Sequence, residues 1–158
     1  LQQIVPKFVR VVRYDMLRKV KTLKGAMRGG ISVLILLWNI HNEKHRTLDK
    51  PGHFFVISTR GPEPCVVFSS TGMTPKKELF LTQSNPTLLE RILPKGTVYN
   101  DVKLQLGNSS QTCWRYALIF AHLAPMGLKK FQNLFTRPNL HIGNSDLLAT
   151  VMTYPLLF

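Results

Sequence analysis

Acidic residues are scarce in this chain: 8 Asp and Glu stand against 21 Lys and Arg in 158 residues, a formal net charge of +13. A surface so poor in anions repels itself and persists most readily beside an anionic partner, which points to RNA, DNA or an anionic membrane. Cysteine is nearly absent as well. Cys65 and Cys113 are too few for a disulfide framework and too far apart for a zinc pair, so a reduced, intracellular protein is expected. The longest apolar run, Val33 to Trp38, falls well short of the ~20 residues of a membrane-spanning helix. It lies between Arg28-Gly29-Gly30 and the polar stretch His41 to Arg46, and so reads as a buried core element. Peripheral contact with anionic lipid through basic side chains stays open. The first residue is Leu1 rather than Met, which leaves room for a transit peptide.

What is present is enough apolar matter to fold. Hydrophobic residues make up 44% of the chain, with nine Phe, two Trp and four Tyr, which excludes a disordered polycation. There is no internal repeat and no low-complexity block, so residues 1–158 are read as one basic domain. Phe8 to Tyr14, rich in β-branched and aromatic residues, predicts a first strand suited to a sheet edge. From an N-cap at Thr22, Leu23, Met27, Leu34, Leu37 and Trp38 recur at near-helical spacing and predict a long helix to Ile40. Gly29-Gly30 argues for the competing reading, a break followed by a strand from Ile31 to Ile40.

His53 to Thr59 and Cys65 to Ser70, joined by Arg60-Gly61-Pro62-Glu63-Pro64, predict a hairpin. Asn85-Pro86 opens a short helix that carries Leu88, Leu89, Ile92 and Leu93 and stops at Pro94. Val98, Val102, Leu104 and Leu106 alternate with polar residues and predict a strand that returns through Gly107 to Ser110 into a partner over Thr112 to Ala121. Leu128, Phe131, Leu134 and Phe135 form one helical stripe, and the last twenty residues carry no clear pattern. The expected fold is α+β, a mainly antiparallel sheet with one long helix near the N-terminus and shorter helices.

Catalytic signatures are missing. His41 and His45 have the four-residue spacing of a zinc helix, but Asn42, not a glutamate, follows the first histidine. His53, His122 and His141 are scattered without a nearby cysteine or acid cluster, so no metal site is assigned. No Gly-x-Ser-x-Gly elbow occurs, Cys65 and Cys113 sit in apolar stretches where a thiol is inert, and the eight acids are spread along the chain. Gly25 to Gly30 lacks the Gly-Lys-Ser/Thr ending of a phosphate loop. The sequon Asn108-Ser109-Ser110 would matter only in a secreted protein.

The positive charge is concentrated. Lys7, Arg10, Arg13, Arg18, Lys19, Lys21, Lys24 and Arg28 face the single acid Asp15 within residues 1–30, and form the candidate nucleic-acid or anion-binding set. Tyr14 stands among them as a candidate for base stacking, although an aromatic in a strand belongs more often to the core. Lys76-Lys77 and Lys129-Lys130 are secondary candidates.

A basic leading segment, a strand, one long helix and then antiparallel strands with short helices resembles the layout of rhabdovirus matrix proteins over residues 7–121. The Pro-Pro-x-Tyr motif found in several of those proteins is absent from these 158 residues. The resemblance implies a small non-enzymatic protein that self-associates, condenses an RNA nucleocapsid and contacts an anionic membrane, without cofactors. The competing expectation is a component of an organellar, mitochondrial ribosome that binds rRNA. An RNA-processing enzyme is disfavoured by the scarcity of acids and histidines.

Overall fold

The structure, a computed structural model, describes residues 5–38, 53–81, 85–106, 112–136 and 145–157. Five strands form one sheet in the order of the sequence: β1 (Val9–Arg13), β2 (Val33–Trp38), β3 (His53–Ser58), β4 (Val66–Phe68) and β5 (Val98–Tyr99). The sheet is mixed. β2, β3 and β4 are antiparallel neighbours, while β1 runs parallel to β2 and β5 parallel to β4. Each parallel pair needs a crossover, and the chain uses short helical pieces for both. A 3-10 turn (Tyr14–Lys19) and α1 (Leu23–Ala26) link β1 to β2, whereas α2 (Pro75–Leu81) and α3 (Thr87–Ile92) lie between β4 and β5.

Both faces of the sheet are covered. Val9, Val33, Ile35, Val56, Val66 and Phe68 point to one side, against α4 (Cys113–Leu123), α5 (Leu128–Thr136) and α6 (Ser145–Leu157). Phe68, Phe120 and Phe131 form the aromatic centre there, with ring centroids 4.6–5.2 Å apart. Leu34, Leu36, Trp38, Phe55, Ile57 and Val67 point the other way, against Tyr14, Leu17, Leu23, Leu79, Leu89 and Ile92 of the crossover pieces. The helical pieces of the two crossovers therefore cover one face and the C-terminal helices the other.

Several sequence expectations hold: β1, β3, β4, α3 and α5 lie where the patterns put them, and Thr22 Oγ1 accepts from Gly25 N at 3.1 Å as the N-cap of α1. The expected fold class does not hold. Among the described residues there is no long N-terminal helix, because α1 ends after Ala26 and Gly29 and Gly30 take φ of 76° and 79°, a left-handed turn that sends the chain into β2. Val33 to Trp38 is apolar at successive positions because a strand covered on both faces needs no polar alternation, so the competing strand reading was the right one.

The expected hairpin of Val98 to Leu106 with Thr112 to Ala121 is also overturned. Only Val98–Tyr99 is strand, and the proposed partner is α4, whose Tyr116 to Ala121 are all buried. A helix buried on nearly every side shows neither period clearly, and α5 and α6 supply the cover that makes it a helix. His41, His45, His141 and the Asn108 sequon lie outside the described residues.

Candidate nucleic-acid interface

The eight N-terminal cations divide into two kinds. Arg10, half-buried on β1, donates from Nη1 to Ala26 O at 2.9 Å and from Nη2 to Arg28 O at 3.1 Å, closing the crossover that follows α1 onto the sheet. Arg13 makes a two-pronged contact with Asp15, at 3.1 and 2.9 Å, on the surface. These two are occupied within the chain. Lys7, Arg18, Lys19, Lys21, Lys24 and Arg28 are exposed and make no ion pair among the described residues.

Five of these six fall between Arg18 and Arg28, in the end of the 3-10 turn, α1 and the two glycine approaches. That stretch holds no acid, and Asp15, the carboxylate that precedes it in the chain, is taken by Arg13. The start of the ridge is tied to α3: Arg91 donates from Nη2 to Leu17 O at 2.9 Å and to Val20 O at 2.7 Å, which satisfies the end of the 3-10 turn. Tyr14 is no stacking platform. It is 6% exposed, its hydroxyl donates to Asn85 O at 2.7 Å, and burial pushes its pKa up to about 12.

The secondary candidates separate too. Lys76 pairs with Glu90 at 3.2 Å on the surface, while Lys77, Lys129 and Lys130 are exposed without such a partner among the described residues. Arg60 lies over the Phe8 ring at 3.8 Å, and Arg115 over the Trp114 ring at 4.5 Å with a hydrogen bond to Thr153. These arginines serve packing.

A second polar constellation is buried, and the scatter of His53 along the sequence concealed it. His53 opens β3, Ser69 and Thr71 follow β4, and Glu78 comes from α2. His53 Nε2 lies 2.9 Å from Ser69 Oγ and 3.4 Å from Glu78 Oε2, and the Ser69 and Thr71 hydroxyls both donate to Glu78 Oε1. Gly72 makes the turn possible: its φ is 71°, and a Cβ there would lie 2.5 Å from Lys103 N. Ser70 Oγ donates to Gln105 Oε1 at 2.8 Å, and Gln132 Nε2 donates to Asn100 Oδ1 at 2.9 Å, tying the same turn to segment 100–105 and α5.

Ser, His and Glu together raise the question of nucleophilic catalysis. The geometry answers against it: in a triad the serine and the acid bind opposite ring nitrogens, whereas here the same Nε2 faces both. Ser69 Oγ also lies 2.9 Å from Glu78 Oε1, an acceptor that competes with the imidazole for its proton, and Ser69 is 1% exposed. Burial decides the charge state. It lowers the His53 pKa to about 4 and raises that of Glu78 to about 7, so the contact between them is a neutral pair over mildly acidic pH rather than an ion pair.

Cys65 and Cys113 are buried, and burial pushes both thiols up, away from the reactive thiolate. No group of three His, Cys, Asp or Glu among the described residues could hold a metal ion, and no helix among them is long and apolar enough to cross a membrane. The sequence could have flagged Ser69-Ser70-Thr71 as three polar residues at the end of an apolar strand, but no spacing links them to Glu78.

No family model matches the chain, and no curated protein matches it. Among solved structures it is similar to the central domain of the uncharacterized Lpg1148 protein from Legionella pneumophila, at 10% identity over 98% of this chain and 94% of that one, with a TM-score of 0.43. A likeness of that degree assigns neither fold nor function.

Proposed function

We propose that this chain is a non-enzymatic RNA-binding assembly protein that holds a nucleoprotein through the ridge from Arg18 to Arg28, with Lys7 beside β1. The observation that supports this reading is five exposed cations in an eleven-residue stretch with no acid and no internal ion pair among the described residues. Charges that serve the fold find partners, as Arg10, Arg13 and Arg91 do. Charges held out in water without such partners among the described residues are suited to a ligand that brings the anions. The layout that suggested a viral matrix protein included a long helix that the fold lacks, so the reading rests on the charge distribution alone.

The test is binding of single-stranded RNA across a salt series. Five neutralised phosphates predict a slope of log affinity against log salt of about −3.5, and changing Lys21, Lys24 and Arg28 together to Gln should reduce it by about 2. A slope unchanged by the triple variant would place the RNA elsewhere. Self-association without RNA, measured by light scattering, separates an assembly protein from a ribosomal component that needs its rRNA. Binding to anionic vesicles in place of RNA would transfer the ridge to a membrane role.

A further inference from the structure

We infer that the RNA surface, on the reading proposed above, continues past the ridge: the two crossovers of the sheet make one basic face, on which Lys77 and Lys95 hold phosphates alongside the five ridge cations. Both crossovers cover the same side of the sheet, since Leu17 and Leu23 of the first pack in one core with Leu79, Leu89 and Ile92 of the second. They are also tied side by side. Tyr14 OH donates to Asn85 O just before α3, and Arg91, near the far end of α3, donates to the carbonyls of Leu17 and of Val20, the residue between Lys19 and Lys21. The segment that carries the ridge is therefore attached to both ends of α3. Lys76 reaches from α2 to Glu90 of α3 at 3.2 Å, which brings the next residue, the exposed Lys77, close to α3 as well. Lys95 is exposed four residues beyond Arg91, so its Cα lies within about 14 Å of the Arg91 Cα even on a fully extended chain.

Charge distinguishes the two sides of the sheet. The crossovers hold three acids: Asp15 is paired with Arg13, Glu90 is paired with Lys76, and Glu78 is buried. Lys77 and Lys95, like the ridge cations, make no ion pair among the described residues. The helix side mixes signs instead. Lys103, Lys129 and Lys130 share it with Glu63, which accepts from Leu128 N, Asp101, which accepts from Gln132, and Asp146, which accepts from Tyr116. A strand of phosphates drawn to the ridge thus meets further unmatched positive charge by running on over α3, and meets carboxylates on the other side.

The experiment is the salt series with mixed-sequence single-stranded RNA. It compares the unaltered protein with a Lys77→Gln, Lys95→Gln double variant and with a Lys129→Gln, Lys130→Gln double variant, which removes the same charge from the opposite side. The ridge alone predicts a slope of about −3.5, and two further phosphates carry it to about −5. The Lys77, Lys95 variant should lose about 1.4 in slope and the Lys129, Lys130 variant under about 0.5. Melting temperatures of both variants keep a folding defect from passing as a lost contact. Equal losses from the two pairs, or no loss from Lys77 and Lys95, overturn the inference, while a slope that still falls when Lys21, Lys24 and Arg28 are changed to Gln leaves the ridge as the RNA site. Absence of RNA binding at low salt overturns both readings.

Discussion

The ridge at Arg18 to Arg28 and the cluster of His53, Ser69, Thr71 and Glu78 are built on opposite principles. In the ridge, full charges stand in water on a frame whose own polar groups are satisfied by Arg10 and Arg91. In the cluster, groups able to carry charge are buried against α2 and share hydrogen bonds, so that burial favours their neutral forms. The difference teaches where to look for a partner. The cluster satisfies itself and holds α2 to the sheet, while the ridge leaves its binding capacity unspent.

Removing the carboxyl of Glu78 tests the buried half of that contrast most severely. Glu78→Ala would strip the acceptor from two hydroxyls and open a hole beside His53, at a cost of about 3 kcal/mol, or a fall in melting temperature of roughly 6–12 °C for a chain of this size. Affinity of the remaining folded protein for RNA should not change. Calorimetry and a binding titration on the same sample check the two together, and a melting temperature within 2–3 °C of the unaltered protein would show that the cluster contributes little.

The pH dependence is subtler and follows from opposite shifts. Glu78 is raised from 4.5 to about 7, so its contribution is complete below pH 4.5 and is lost as pH rises through 7. His53 is lowered from 6.5 to about 4, so its contribution is complete above pH 6.5 and is lost as pH falls through 4. Between 4.5 and 6.5 the unfolded pair holds one proton on His53 and the folded pair holds one on Glu78, so the pair adds no slope. Glu78→Gln should leave the His53 part alone, giving a stability that falls by about 2–3 kcal/mol from pH 6.5 to 4 relative to the unaltered protein. His53→Gln should tilt the difference the other way. Denaturant titrations at several pH values decide, and parallel curves for the two variants would mean that the groups do not titrate as a neutral pair.

The smallest effects distinguish cations inside the ridge frame from those on it. Arg10→Gln should cost about 1–2 kcal/mol through two lost charge-assisted bonds to the Ala26 and Arg28 carbonyls. Arg13→Gln, which breaks a surface pair with Asp15, should cost under about 1 kcal/mol and leave RNA affinity nearly intact, because the Arg13 charge is already matched by that carboxylate. Chemical denaturation checks stability for both. A larger binding loss for Arg13→Gln than for Lys21→Gln would erase the division between occupied and free cations.

Much of this organisation was legible in the residues. β-Branched and aromatic content and turn chemistry located β1, β3 and β4, and Asn85-Pro86 located α3, whose Thr87 N donates to Asn85 Oδ1 at 3.0 Å. Val33 to Trp38 and Cys113 to Leu123 were read in the wrong state for one reason. Each is apolar on nearly all sides, and a segment with no polar face carries no period from which strand and helix can be told apart.

The basic constellation was legible as a count and not as a surface. Eight cations in the first thirty residues are plain in the sequence, yet only folding brings Arg10 to the Ala26 and Arg28 carbonyls and leaves six of the others exposed without an ion pair among the described residues. The same holds for His53 and Glu78, twenty-five positions apart and joined by the pairing of β3 with β4 and the packing of α2. The sequence by itself determined that this chain folds and carries a large positive charge, which are sums over residues, and that the charge is concentrated within residues 1–30, which is a matter of residue order. Which charges face a ligand and which polar groups neutralise one another was decided by the tertiary structure, because hydrogen bonds and desolvation depend on neighbours in space rather than in sequence.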